Sequence, residues 1–179
     1  MIKTKVTCNK ELEYVQKVNE LQYDYGQALM SAKRFEAALN VFKRILAADP
    51  ENLLAWYSQG DALTSLERYQ EALVSFEQAI QLKQDFYPAW TFRAIVLIQL
   101  DRPEEALSSC EKALEIQPHD REACIFRGAS LQRLGRYQEA YACYDKATGR
   151  KKQSLWQSLT ISLGQVLHAA RLHAPAASR

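Results

Sequence analysis

The chain has 179 residues, of which 47% are hydrophobic and 25% are charged, and its net charge is +2. This composition is ordinary for a globular chain of about one domain. The near-neutral charge does not favour nucleic acid or an anionic membrane as a partner. The longest apolar run, Ala94–Ile98, is far shorter than the ~18 residues that a membrane span needs. We therefore expect no nucleic-acid partner and no membrane insertion.

Residues 1–18 form an N-terminal segment that we expect to be helical from about Lys10. The opening sequence, MIKTKVTCNKELEY, has no apolar stretch after its first lysines, so a secretory signal is not expected. The four cysteines include no CxxC pair and are sparse for a disulfide scaffold. This cysteine usage favours a reducing compartment, and we expect a cytoplasmic protein.

A five-residue motif recurs at a constant spacing through most of the chain. It reads RFEAA, RYQEA, RPEEA and RYQEA, beginning at Arg34, Arg68, Arg102 and Arg136. A fixed period near 34 residues is typical of stacked structural repeats. Small residues recur with the motif, eight positions before each arginine and four positions after it. These columns are Gly26, Gly60, Ala94 and Gly128, then Ala38, Ala72, Ala106 and Ala140.

Each copy of the repeat contains two helical patterns. Trp56, Gly60 and Leu63 are spaced by four and three residues, which places them on one face of a first helix. The second helix begins near the arginine of the motif. In the third copy we expect Asp101 to cap that helix, with Pro103 in its first turn. Four helical hairpins would then stack, because none can bury its apolar face alone.

The sequence after the fourth copy predicts a terminal helix. Ser154–Gln157 reads SLWQ, a capping-box pattern that opens a helix. A solenoid needs an end helix to cover its last apolar face, and we assign residues 155–179 to a capping helix and short tail. The apolar positions with helical spacing are Leu155, Leu159, Leu163, Val166, Leu167 and Ala170.

These columns resemble the tetratricopeptide repeat (TPR), whose pattern runs Trp, Leu, Gly, Tyr, then Ala, Phe, Ala, Pro. Four units fit this pattern, at residues 19–52, 53–86, 87–120 and 121–154. Gln22 and Cys124 replace the Trp in two units, and Gln84 and Lys152 replace the Pro. The resemblance implies an all-α, right-handed α-solenoid of four tandem helix-turn-helix repeats with a C-terminal capping helix.

Signals of enzymatic chemistry are not found in the sequence. It contains no GxSxG, no HExxH and no Gly-rich phosphate loop. The three histidines lack the spacing of zinc ligands, so we expect no metal and no cofactor. Cys110 and Cys124 stand in columns normally filled by core aromatics and are expected to be buried. The arginine column is interpreted as a solvated hairpin turn whose arginines pair with Glu36, Glu71, Glu105 and Glu139.

In the TPR family, ligands lie along the concave surface formed by the first helices, so the resemblance implies a partner-binding groove. Its positions in this chain are Tyr23, Gln27, Tyr57, Asp61, Phe92, Ile95, Ile98, Ile125, Phe126 and Gln132. One known use of that groove is a carboxylate clamp, which holds acidic chaperone tails with Lys, Arg and Asn. This sequence offers no cation at the clamp positions, so a chaperone-tail adaptor is not expected.

The groove is apolar in its second half. Phe92, Ile95 and Ile98 are adjacent to Ile125 and Phe126, and a contiguous apolar patch indicates a partner. The alternative is coverage by a segment of the chain or by a second copy, which would make a homodimer. We expect the two phenylalanines to lie on the concave face, away from the hairpin core, as anchors for a partner.

The sequence thus predicts a non-catalytic protein–protein interaction module: an adaptor, scaffold or assembly factor that binds an apolar peptide or helix in the concave groove. Two alternatives stay open at this point. The chain could be a dedicated chaperone for one client, or the repeat region of a larger multidomain enzyme, since a fold does not define a function.

Overall fold

A computed structural model describes the backbone of residues 2–149 and the side chains of residues 17–149. These residues form eight α-helices and no strand. The predicted capping helix at residues 155–179 lies outside the described part. The helices are α1 (Ile2–Ser31), α2 (Phe35–Ala48), α3 (Leu53–Ser65), α4 (Tyr69–Leu82), α5 (Tyr87–Gln99), α6 (Pro103–Ile116), α7 (Arg121–Arg133) and α8 (Tyr137–Thr148).

The helices pack as a curved row of hairpins. Each helix contacts the next one along the chain, and α1, α3, α5 and α7 also contact one another in sequence. Within residues 2–149, the even-numbered helices make no such contacts with each other. The odd-numbered helices are therefore closer together and form the inner, concave side, while the even-numbered helices form the outer side. This arrangement confirms the expected α-solenoid of helical repeats.

The two helices of a hairpin approach closely where a glycine faces an aromatic ring. A Cβ atom on Gly60 would lie 2.7 Å from both Cε1 and Cζ of Phe76, so only glycine fits there. The first and fourth units show the same contact at Gly26 and Gly128. The third unit exchanges both partners, because Ala94 supplies a Cβ atom and Cys110 replaces the ring; both are fully buried. The small side chain of Cys110 thus leaves room for the Cβ atom of Ala94.

The repeated motif marks the start of each second helix, as predicted. Arg68 directly precedes α4, and the other three arginines precede α2, α6 and α8 in the same way. The predicted N-cap role of Asp101 is wrong. Its φ angle is +56°, and the matching residues Lys33, Glu67 and Gly135 also have positive φ. The tight hairpin turn requires one left-handed residue at this point, so Asp101 turns the chain and Arg102 takes the cap position.

Three of the four arginines of the motif pair with glutamates three residues later. The bonds from Arg68, Arg102 and Arg136 measure 2.6–2.7 Å, and each guanidinium contacts both carboxylate oxygens. These hydrogen bonds lower the pKa of the partner carboxyls. The pairs are solvent-exposed and contribute little to stability. The interpretation of this column as a solvated hairpin turn is confirmed; the glutamates are Glu71, Glu105 and Glu139, with Glu36 3.4 Å from Arg68.

Candidate functional site

The inner face of the solenoid is formed by residues 19–31 of α1 together with α3, α5 and α7. Side chains on neighbouring first helices meet at a separation of 35 residues. The Tyr23 hydroxyl lies 3.0 Å from Ser58 Oγ, and the rings of Tyr57 and Phe92 have centroids 5.3 Å apart. These contacts join the first unit to the second and the second unit to the third.

A polar network joins the first two units. Gln27 Nε2 lies 2.8 Å from both the Tyr23 hydroxyl and Ser58 Oγ, and it donates to these oxygens. Ser58 is buried, so its hydroxyl depends on this network for its hydrogen bonds. The network holds Tyr23 and Gln27, two of the predicted groove residues, in fixed orientations.

An aromatic cluster joins the second and third units. Tyr57 meets Phe86 and Phe92 edge-on, at centroid distances of 5.4 and 5.3 Å. Phe92 also packs 5.8 Å from Phe76, a fully buried core ring, and Phe126 packs against the same core. The expectation that Phe92 and Phe126 lie away from the hairpin core is therefore wrong. Phe92 contacts Tyr57 and Phe76 of the preceding unit, so part of its ring is used in packing between units.

The structure brings all ten predicted groove residues onto the first helices, with different exposure. Ile98 is buried at 7% exposure, whereas Ile125 is 39% exposed. Gln132 is exposed, and its Oε1 accepts a hydrogen bond of 3.1 Å from the Tyr144 hydroxyl. Ile125 is therefore the most accessible apolar member of the set, and Ile95 is half-buried. The half-buried members are Tyr23, Gln27, Tyr57, Asp61, Phe92, Ile95 and Phe126.

Asp61 is a half-buried carboxyl in the middle of the inner face. Among the described residues it has no hydrogen bond and no ion pair. Loss of hydration raises its pKa above the ordinary value of an aspartate. The pKa of the neighbouring Tyr57 is raised by burial and then by the negative charge of Asp61. The carboxylate at this position is therefore poorly compensated by the chain that surrounds it.

Two open clefts lie along the inner face. One, of about 410 Å³, lies between α1 and α3 and is lined by Asn19, Glu20, Tyr23, Asp24, Asp49, Asn52 and Leu54. The other, of about 400 Å³, lies at the ends of α5 and α7 and is lined by Ile98, Ala129, Gln132, Arg133 and Tyr137. Arg133 Nη1 donates to the carbonyl of Ile98 at 2.8 Å and lies 3.4 Å from Asp101.

Sequence reasoning did not name Glu20, Asp49 or Leu54 in the lining of the first cleft. Glu20 and Leu54 occupy the same position in successive units, and their spacing of 34 residues is the signal that could have found them. Asp49 lies in the loop between units, where the repeat pattern gives no information about its orientation.

Cys110, Cys124 and Cys143, the cysteines whose side chains are described, are buried and form no disulfide. Burial raises the pKa of the Cys110 thiol to about 12, so this sulfur is protonated at neutral pH. The described residues contain no group of three or more His, Cys, Asp or Glu side chains placed to hold a metal ion. Within the same part of the chain, no helix combines the length and the apolar character that crossing a membrane requires.

Two family models, both described as tetratricopeptide repeat, match residues 23–88 and 97–160. The chain belongs to the tetratricopeptide repeat family. This confirms the resemblance seen in the sequence columns and supports a protein–protein interaction module. A comparison with curated protein sequences found no match.

Solved structures share the fold at low sequence identity. MamA residues 41–end from Desulfovibrio magneticus RS-1 has 21% identity and a TM-score of 0.69, covering 76% of this chain and 78% of that one. YrrB, a TPR protein with an unusual peptide-binding site, has 26% identity and a TM-score of 0.63, covering 73% and 67%. The first TPR of Spaghetti (RPAP3), bound to an HSP90 peptide, has 21% identity and a TM-score of 0.64, covering 65% and 93%.

Proposed function

We propose that the chain is a non-catalytic adaptor, scaffold or assembly factor whose inner face binds a peptide or helix of another protein through an apolar segment. The observation that carries this proposal is that the first helices hold the half-buried Ile95, the exposed Ile125 and two open clefts, one towards each end of the described row of helices. Exposed apolar side chains next to concave surface are the usual features of a docking site. YrrB and the Spaghetti TPR, which share the fold, support a peptide as the ligand.

The two clefts suggest the path of the bound segment. The first is lined by Asn52 and Leu54 at the start of α3, whereas the second is lined by Arg133 at the end of α7. A segment that touches both must cross the inner face diagonally, passing Asp61 and Ile95. Such a path engages all four units, at residues 19–52, 53–86, 87–120 and 121–154.

We assign residues 155–179 to capping rather than to the groove. Leu39, Leu73 and Leu107 occupy one position of the second helices and are 1%, 7% and 9% exposed. Tyr141 occupies that position in the fourth unit and is 68% exposed. The first three residues are covered by the following unit, so the fourth needs a substitute, and the apolar face that begins at Leu155 is the nearest in sequence. The unpaired buried thiols support a reducing, cytoplasmic location.

Affinity capture with matched variants tests the proposal. Ile125→Asp places a charge on the inner face, and Val74→Asp places the same charge on an exposed apolar residue of outer helix α4. We expect Ile125→Asp to lose partners that the parent and Val74→Asp both retain, with all three chains melting at similar temperatures. Equal capture by the two variants would contradict an inner-face site.

A further inference from the structure

The charges of the inner face are segregated along the solenoid. The first helices of units one and two, residues 19–31 and 53–65, contain Glu20, Asp24 and Asp61 and no Lys or Arg. Asp49 adds another carboxylate to the cleft between α1 and α3. The chain as a whole carries a net charge of +2, so this negative surface is a local feature and not a consequence of overall composition.

Asp61 distinguishes this surface from an ordinary solvated acidic face. It is half-buried beside Tyr57, and no cation or hydrogen-bond donor in the described chain contacts it. The matching positions of the other units hold Gln27, Ile95 and Ala129, none of which is charged. A partly desolvated carboxylate gains most from a cation that arrives with a ligand, because the charge-assisted hydrogen bonds replace its lost hydration.

The apolar half of the groove continues directly from the acidic half. Ile95 occupies in the third unit the position that Asp61 occupies in the second unit. Ile125 is the most exposed apolar residue on α7. Building on the proposed function, we propose that the ligand is a polypeptide segment with Lys or Arg residues placed over units one and two, and apolar residues over units three and four. Charge complementarity thereby defines both the class of ligand and its direction in the groove.

Three labelled synthetic peptides would serve as probes. Each has about 14 residues, roughly 21 Å when helical, with the same leucines at helical spacing and with Lys, Gln or Glu at all other positions. We expect the full chain to bind the Lys peptide about tenfold more tightly than the Gln peptide, the equivalent of about 1.4 kcal/mol, and the Glu peptide least. The preference should weaken as NaCl rises from about 0.05 to about 0.5 M.

Matched variants locate the effect. Asp24→Asn with Asp61→Asn should abolish the preference for Lys over Gln, while Glu67→Gln with Glu104→Gln, an equal charge change at exposed residues outside the inner face, should keep it. Equal binding of the Lys and Gln peptides by the parent, or equal loss in both double variants, would overturn the acidic-groove proposal and leave the peptide groove intact. If none of the three peptides binds, the groove itself is contradicted.

The same experiment separates other occupants. Residues 150–179 contain no Asp or Glu, so the chain's own end has the chemistry of the proposed ligand. If Lys151→Glu with Lys152→Glu raised the affinity for the Lys peptide about tenfold, that segment would occupy the face and the proposal of a separate partner would fail. If the parent chain were a dimer and Asp24→Asn with Asp61→Asn dissociated it, the occupant of the groove would be a second copy. That result would also overturn the proposal of a separate partner.

Discussion

The exchange of partners in the third unit offers a direct test of how the hairpins pack. Cys110→Phe restores the ring found at the matching position in units one and two, but Ala94 retains the Cβ atom that those units lack. In the second unit, a Cβ at the matching glycine would lie 2.7 Å from two ring atoms. Ordinary contact begins at 3.4 Å, so the ring and the helix must separate in the single variant.

The magnitude follows from the costs of packing. Overfilling a core of this kind costs about 1–3 kcal/mol, and we expect Cys110→Phe to lie near 2 kcal/mol, or about 4–8 °C in melting temperature for a chain of this length. Ala94→Gly alone should cost about 1–2 kcal/mol through lower helix propensity and a lost methyl group. The double variant reproduces the glycine and the ring of unit two and should recover most of the loss from Cys110→Phe.

Thermal and urea unfolding of the parent, both single variants and the double variant would give the coupling energy between the two positions. We expect a coupling of about 2 kcal/mol in favour of the double variant, well above the ~0.5 kcal/mol seen between independent sites. Additive effects within that limit would refute the account of the hairpin contact.

Two further predictions concern stability. Burial raises the folded-state pKa of Asp61 above its ordinary 3.8, so its stabilising contribution is complete below that pH and is lost as pH rises through the folded value. The melting temperature of Asp61→Asn should therefore be close to that of the parent at about pH 3.5 and higher than that of the parent at pH 7. If the difference in melting temperature were the same at both pH values, the desolvation of Asp61 would be contradicted. Deleting residues 155–179 should leave Tyr141 uncovered and cause self-association in size-exclusion chromatography; a monomeric, fully folded product would contradict capping.

The fold could be predicted almost completely because its contacts repeat. The small residues at Gly60 and Ala72 recur every 34 residues, and three of the four units share the contact between a glycine and an aromatic ring. The start of each second helix at the arginine motif follows from the same pattern. Asp101 was assigned wrongly because a cap and a left-handed turn residue favour the same residue types, and only the turn geometry distinguishes them.

The positions of the candidate site could be predicted from the repeat, but the exposure of its side chains could not. The repeat placed Phe92 and Ile125 on the first helices, but it does not fix exposure, because Thr91 and Ile125 share one repeat position and are 2% and 39% exposed. Phe92 falls in the column that faces Phe76 and is partly used by the core. The cleft at Asp49 depends on how a loop folds back beside α1, which a helical period does not encode.

Site-specific photo-crosslinking tests the inner-face groove most directly. A benzoylphenylalanine placed at Ile125 lies on the exposed part of the inner face, and the same group at Val74 lies on the outer face of α4. After irradiation in cells, mass spectrometry would identify what each position contacts. We predict that the group at position 125 forms adducts with a segment of another protein, and that the group at position 74 does not form the same adducts. Adducts from position 74 alone, or adducts from position 125 only to the chain itself, would contradict the account.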